Sequence, residues 1–278
     1  MNEMQTIAGD DVRPITTEEF RWVSQFLLTR TGIELKAGKE FVVMGRLTRR
    51  LKALGLVSFT DYFQLLGDPA YSTETQTAID LLTTNETYFF REPDHFAQLR
   101  NFAAGAARHQ PFRAWSAAAS SGEEAYSLAM TLADALPGKP WEVVGTDIST
   151  RVLEVARRGL YPLSAADKIS SAQLSRYCLR GRGEYDGALL VRSELRERVR
   201  FDVANLLEDL QHLAPFDVIF LRNVMIYFGN ETRAGLIART EAMLRPGGRL
   251  MIGHSETLHG IRTNLKMVSP SIYQRTAG

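Results

Sequence analysis

The chain has a single cysteine in 278 residues, Cys178, which excludes an intramolecular disulfide and a zinc site built on four cysteines. It has almost no excess of either charge. Its 33 Lys and Arg against 32 Asp and Glu leave a formal +1, so the global basic field of a dedicated nucleic-acid binder is missing and any charge effect is local. No run approaches the ~18 apolar residues that span a bilayer. The opening stretch MNEMQTIAGDDVRP lacks the basic, apolar and small-residue succession of a secretory leader. These absences predict a soluble cytoplasmic protein without membrane insertion. What is present is ordinary globular composition, 45% hydrophobic and 23% charged, at a length that suggests two domains.

Residues up to about Arg108 read as helical. Thr16 followed by Glu19 has capping-box spacing, Phe20, Val23 and Leu27 share one helical face, and Gly32 ends the segment. From Lys39 to Leu54, Val43, Leu47, Leu51 and Leu54 form an apolar stripe, with Lys39, Arg46, Arg49 and Arg50 along one flank and Gly55 as the stop. Phe59, Tyr62, Phe63 and Leu66 predict a third helix after Ser58, and Ala78 to Leu82 a fourth. Between residues 36 and 55, Lys36, Lys39, Arg46, Arg49, Arg50 and Lys52 stand against one acid, Glu40. A basic flank is commonly only solvated surface, but this concentration favours a face for an acidic partner.

Beyond NFAAGAARHQP the pattern becomes strand alternating with helix, which predicts a parallel sheet with crossover helices. The boundary is therefore placed between residues 108 and 109. Strands are predicted at Phe112 to Ser116, Trp141 to Thr146, Val199 to Asp202, Phe216 to Leu221 and Arg249 to Gly253. Helices are predicted at Glu123 to Leu136, Ser149 to Arg158 and Glu231 to Leu244, with Pro246-Gly247-Gly248 as a turn and SIYQR as an antiparallel edge strand. Leu160 to Arg198 is far longer than the usual connection of about 2–6 residues. It reads as an inserted subdomain, and RYCLRGRGEYDGALLVR within it as a β-hairpin with a glycine-rich turn.

The stretch AWSAAASSGEEAYSLAM is a strand, a run of small residues and a helix start. It suits a backbone that closely approaches a ligand at the carboxyl edge of a sheet. It lacks GxGxxG and P-loop patterns, and Glu123 and Glu124 would repel a pyrophosphate. Either they only complement the helix dipole or they face a cation. Asp147 ends the second strand at about the offset of a ribose-binding acid, or caps the helix at Ser149. Asn205 and Arg222-Asn223 follow later strands on the same edge. A nucleoside carrying a cationic group, with no phosphate cradle, points to S-adenosylmethionine.

In this order and spacing, LLTTNETYFFRE, AAASSGEEAYSLAM, GTDIS, FDVIFLRNVMIYF and LRPGGRLMIGHSE resemble the chemotaxis receptor methyltransferases, the CheR family of protein-glutamate O-methyltransferases, from about residue 15 to the end. The resemblance implies an α/β fold: an N-terminal all-helical substrate-docking domain, then a Rossmann-like class I methyltransferase domain with a small antiparallel β-subdomain inserted at about 160–198. Motif by motif it implies that Asn85, Thr87, Arg91, Glu124, Asp147, Asn205, Leu206, Arg222 and Asn223 line the site of S-adenosylmethionine or its product S-adenosylhomocysteine. Arg91 and Tyr227 would serve the chemistry, with Tyr227 toward the methyl group. The loop reads SSGEE at Ser120 to Glu124 where the family often has STGEE, a loss of one methyl.

The resemblance also implies glutamate side chains of chemoreceptor cytoplasmic helices as substrate, a monomeric enzyme in the cytoplasm, and its recruitment to receptor arrays. One subgroup docks a receptor C-terminal pentapeptide tail on the β-subdomain, here through the turn bearing Gly181, Gly183 and Gly187. Lys39, Arg46, Arg49 and Arg50 would hold the acidic receptor helices. A small-molecule O- or N-methyltransferase and a nucleic-acid-binding regulator that uses GRLTRRLKALG are the other readings. The histidines are scattered, with His254 expected in a structural or cofactor-rim role and no metal site. Cys178 and the pair Phe89-Phe90 are expected in packing.

Overall fold

A computed structural model describes residues 12–105 and 110–276. Most of the stretch read for a leader and Arg108, the expected boundary, lie outside them. The chain divides into two compact units, Met1–Thr83 and Thr84–Gly278.

The first unit holds α1 (Thr17–Thr31), α2 (Glu40–Ala53), α3 (Phe59–Gly67) and α4 (Ser72–Leu82). The Thr16–Glu19 capping box forms as expected, and Gly32 closes α1 in the left-handed region. Phe20, Val23, Leu27, Val43, Leu47, Leu51, Tyr62 and Leu66 share one core. Leu54, placed on the α2 stripe, is exposed instead, because it sits at the helix end where the stripe has turned away. Glu74 on α4 is buried, and it accepts the Tyr62 hydroxyl at 2.6 Å and Arg50 Nε at 2.9 Å.

The second unit begins earlier than expected. α5 (Pro93–Ala104) places Phe96, Leu99 and Ala103 in the same core as Phe112 and Ala114. Composition cannot show which core a helix packs on, so the boundary at 108 is corrected to 83/84. There follow β1 (Phe112–Ala117), α6 (Glu123–Ala135), β2 (Trp141–Asp147), α7 (Thr150–Arg158), β3 (Leu160–Pro162), α8 (Ser171–Tyr177), β4 (Cys178–Arg180), β5 (Ala188–Val191), α9 (Ser193–Arg196), β6 (Val199–Val203), β7 (Phe216–Leu221), α10 (Asn230–Met243), β8 (Leu244–Ile252), β9 (Leu265–Ser269) and β10 (Ile272–Arg275). The main sheet runs β6-β2-β1-β7-β8-β10-β9. Its first five strands are parallel, and the order turns back at β1, the switch point where open α/β sheets bind ligands.

Two expectations at the C-terminus are corrected. Pro246-Gly247-Gly248 is not a turn but part of β8. Phe216 pairs with Leu244 and Val218 with Arg249, so β8 carries its extra residues as a bulge. SIYQR forms β10, antiparallel as expected, but β9 covers it and takes the edge. The insertion folds as a separate antiparallel sheet, β3-β5-β4. Buried Cys178 packs in it, and burial pushes its thiol up to about 11, away from reactivity.

Candidate functional site

The register aligns the carboxyl ends of the parallel strands: Ala117 lies beside Thr146 and Leu221, Asp147 beside Val203, and Leu221 beside Ile252. The segments that leave these ends, around Ser120, Asn205, Asn223 and His254, therefore share one edge. Of the six non-glycine residues with positive φ among the described residues, five lie here: Phe90, Glu92, Ala118, Ser120 and Asn223. Each costs of order 1–3 kcal/mol, and such strain clusters at functional sites. In the loop after β1, Ala118, Ser120 and Gly122 alternate in this region, which explains its small side chains. A Cβ on Gly122 would also meet Ala156 at 2.8 Å.

Asp147 holds that loop. Its carboxylate accepts the amides of Ser120 and Ser149, both at 2.9 Å. Ser120 Oγ donates to the Asn85 carbonyl at 2.7 Å, and the Phe90 amide donates to Ser127 Oγ at 3.0 Å. The TTNETYFF segment is thus tied to the loop and to α6. Thr87 lies half-buried on the same segment. Asn205 Oδ1 accepts the Leu207 amide at 3.0 Å, and Leu206 is buried beside it. Tyr227 is half-buried in the short 3-10 turn Met225–Tyr227 after β7.

Arg222 is the electrostatic centre. It is only 5% exposed, lies 3.2 Å from Glu92 Oε2 and 3.3 Å from Glu124 Oε2, and donates to the Arg91 carbonyl. Its guanidinium stacks over Phe96 and Phe220. Burial raises Glu92, but Arg222 and the hydrogen bonds from the His254 amide and Asn223 Nδ2 outweigh it, so its carboxyl lies below the usual range. Burial pushes Glu124 up, against the pull of Arg222 and of Ser116 Oγ, which donates to it at 2.6 Å. Burial likewise raises Glu123, whose carboxylate accepts Ser121 Oγ. Arg91 donates to the Glu86 carbonyl at 3.1 Å and lies over the Tyr88 ring.

The Glu124 carboxylate turns onto Arg222 and Ser116. Phe89 packs in the core, edge-on to Tyr161, as expected. Sequence reasoning missed Glu92, His95 and Glu256. Glu256 Oε2 accepts the amides of Gly253 at 2.7 Å and Asn223 at 2.9 Å, and burial raises its pKa. The i,i+3 pair Glu92 and His95 was visible, but its partners His254 and Arg222 lie far along the chain. On the basic flank, Lys39 and Arg49 are exposed. Arg46 donates to the Leu82 carbonyl and Arg50 serves Glu74, so two of the four residues expected in docking are committed within the bundle.

Among the described residues, Arg222 Nε and Nη1 and Glu256 Oε1 are buried without a hydrogen-bond partner, Nη1 being held by its ion pair with Glu124 alone. Unused donor positions on a buried guanidinium and an unused carboxylate oxygen at one sheet edge fit a zwitterionic ligand such as the amino-acid end of S-adenosylmethionine. Comparison with known proteins agrees. Residues 18–83 match the CheR methyltransferase all-alpha domain, and residues 85–273 match the CheR methyltransferase SAM binding domain. The chemotaxis protein methyltransferase of Salmonella typhimurium is 44% identical over 263 residues, which cover 93% of this chain and 90% of that protein. Chemotaxis protein methyltransferase 2 of Pseudomonas aeruginosa is 43% identical over 272 residues, 96% of each chain. The chain belongs to the CheR methyltransferase family, an all-α domain joined to a domain that binds S-adenosylmethionine.

Proposed function

We propose that this methyltransferase esterifies glutamate side chains on chemoreceptor cytoplasmic helices, releasing S-adenosylhomocysteine. The carrying observation is the buried Glu92–Arg222–Glu124 centre at the carboxyl edge of the sheet, in a chain that matches chemotaxis methyltransferases over nearly its whole length. S-adenosylmethionine supplies an electrophilic methyl carbon on a sulfonium. A glutamate with the ordinary pKa of about 4.3 is already ionised at neutral pH, so no residue need act as general base. The protein's task is to aim the carboxylate and strip part of its water.

Asn85, Thr87, Arg91, Glu124, Asp147, Asn205, Leu206, Arg222 and Asn223 are assigned to the cofactor. Within that set Asp147 shapes the loop through the Ser120 amide, and Glu124 sets Arg222. Arg91 and Tyr227 are assigned to hold the substrate carboxylate. Lys39 and Arg49 present the positive charge that acidic helices seek. The turn bearing Gly181, Gly183 and Gly187 is assigned to a receptor C-terminal pentapeptide, which adds to the β-subdomain through backbone hydrogen bonds. No helix among the described residues is long and apolar enough to cross a membrane. On this reading the enzyme is a cytoplasmic monomer brought to receptor arrays by that tail.

Each ester removes one negative charge from a receptor helix and so biases a bistable bundle. The test is transfer of labelled methyl from S-adenosylmethionine to receptor-enriched membranes, followed by base-labile release of methanol. Label that resists base, or that enters only small molecules, overturns the glutamate assignment.

A further inference from the structure

Glu92, His95 and His254 meet although His254 is remote in sequence. Glu92 Oε2 lies 3.5 Å from His95 Nδ1 and 3.9 Å from His254 Nε2, and one ligand atom from each of the three lies within 4.8 Å of the others. Donors bound at about 2.0–2.1 Å to a tetrahedral zinc ion stand about 3.3 Å apart. The triangle thus needs a small contraction, chiefly at His254, whose side chain is 51% exposed and able to turn.

His95 supplies an independent observation. It is 1% exposed, and neither ring nitrogen has a hydrogen-bond partner among the described residues. A buried imidazole left so is costly unless something else engages it.

We propose that Glu92, His95 and His254 form a two-histidine, one-carboxylate site for a divalent cation of the zinc class. Imidazole donors favour zinc, cobalt, nickel and copper over magnesium and calcium, which take oxygen ligands. The exposed side of His254 leaves room for water as a further ligand. Arg222 competes for the same Glu92 oxygen at 3.2 Å. When a cation takes that oxygen, Arg222 keeps Glu124 and the Arg91 carbonyl. The cation therefore binds at the expense of one ion pair, which makes the site a modulator of Arg222 rather than a structural staple.

The test uses the full, tag-free chain and does not depend on methyl transfer. Cobalt(II) is added as a spectroscopic probe and zinc(II) is titrated calorimetrically at neutral pH. The expected result is a visible cobalt band, one zinc ion per chain, and affinity at least about tenfold weaker in His254→Ala, since a direct ligand matters no less than an outer partner. His254 is exposed, so this variant keeps the fold, which circular dichroism verifies. Glu92→Gln should lose the cobalt band. Absence of zinc binding, or equal binding by His254→Ala, overturns the site and assigns any bound ion to other histidines; a preference for magnesium overturns it equally.

Discussion

Ser120 and Asp147 are joined by a 2.9 Å hydrogen bond from the amide of one to the carboxylate of the other, so the acid expected to meet a ribose also holds the strained loop beside it. Asp147→Ala should weaken S-adenosylmethionine and S-adenosylhomocysteine equally, because the transferred methyl is not involved. It should also lower the melting temperature, since a buried amide left unpaired costs about 1–3 kcal/mol. Calorimetric titration of both ligands checks the first effect; unchanged affinity removes Asp147 from the site.

Arg91→Ala and Tyr227→Phe separate chemistry from folding. Both side chains are only half-buried, so neither change should unfold the chain. Turnover should fall in each, with Arg91→Ala also able to move cofactor affinity. Wild-type turnover in Tyr227→Phe would sink its proposed role.

The basic flank calls for a divided test. Charge reversal at exposed Lys39 and Arg49 should raise the receptor KM in a salt-dependent way and leave cofactor affinity intact. Arg50→Glu should instead damage the bundle. It would set two carboxylates together where Glu74 now accepts Arg50 and Tyr62. Thermal melts with receptor kinetics distinguish the two; a stable Arg50→Glu bundle contradicts the assignment of Arg50 to packing.

Acid should destabilise the bundle through Glu19. Burial raises its carboxyl, but hydrogen bonds from Arg13, the Thr16 amide, Thr60 and Thr16 outweigh that and bring it down from 4.5 to about 2. A pKa lowered on folding contributes stability that is full above the unfolded value and is lost as pH falls toward the folded one. The loss, of order 3 kcal/mol, should therefore develop below about pH 5 and vanish in Glu19→Gln. Denaturant melts of residues 12–83 within the whole chain, followed from pH 7 to pH 2, would show it; identical pH slopes for wild type and variant would refute it.

The receptor-tail reading predicts micromolar binding of a receptor C-terminal pentapeptide, independent of S-adenosylmethionine. Deleting Gly183 to Asp186 should abolish it while methyl transfer to tail-less receptor persists. β4 is an outer strand of the small sheet, and Leu179 and Tyr185 are exposed near it, so backbone edge and apolar surface are both available. Gly181→Ala is a second probe, because its Cβ would collide with the Tyr185 carbonyl and reshape the turn. Titration without heat or chemical-shift change in residues 176–192 excludes tail docking.

Local periodicity was enough to find most elements. Val43, Leu47 and Leu51 bury one face of α2 because side chains three and four apart fall on one side of a helix, and the Thr16–Glu19 box needs only its own turn. The ligand edge was legible too, since parallel strands must end together and the residues after each strand were known. Long-range contact decided the rest. Whether α5 joins the bundle or the sheet, whether Arg50 faces a partner or Glu74, and which cation pairs with Glu124 depend on side chains far apart in the chain. Arg222 draws Glu92, Glu124 and the Arg91 carbonyl around one buried charge, because a guanidinium removed from water must find its counter-charges wherever the fold brings them.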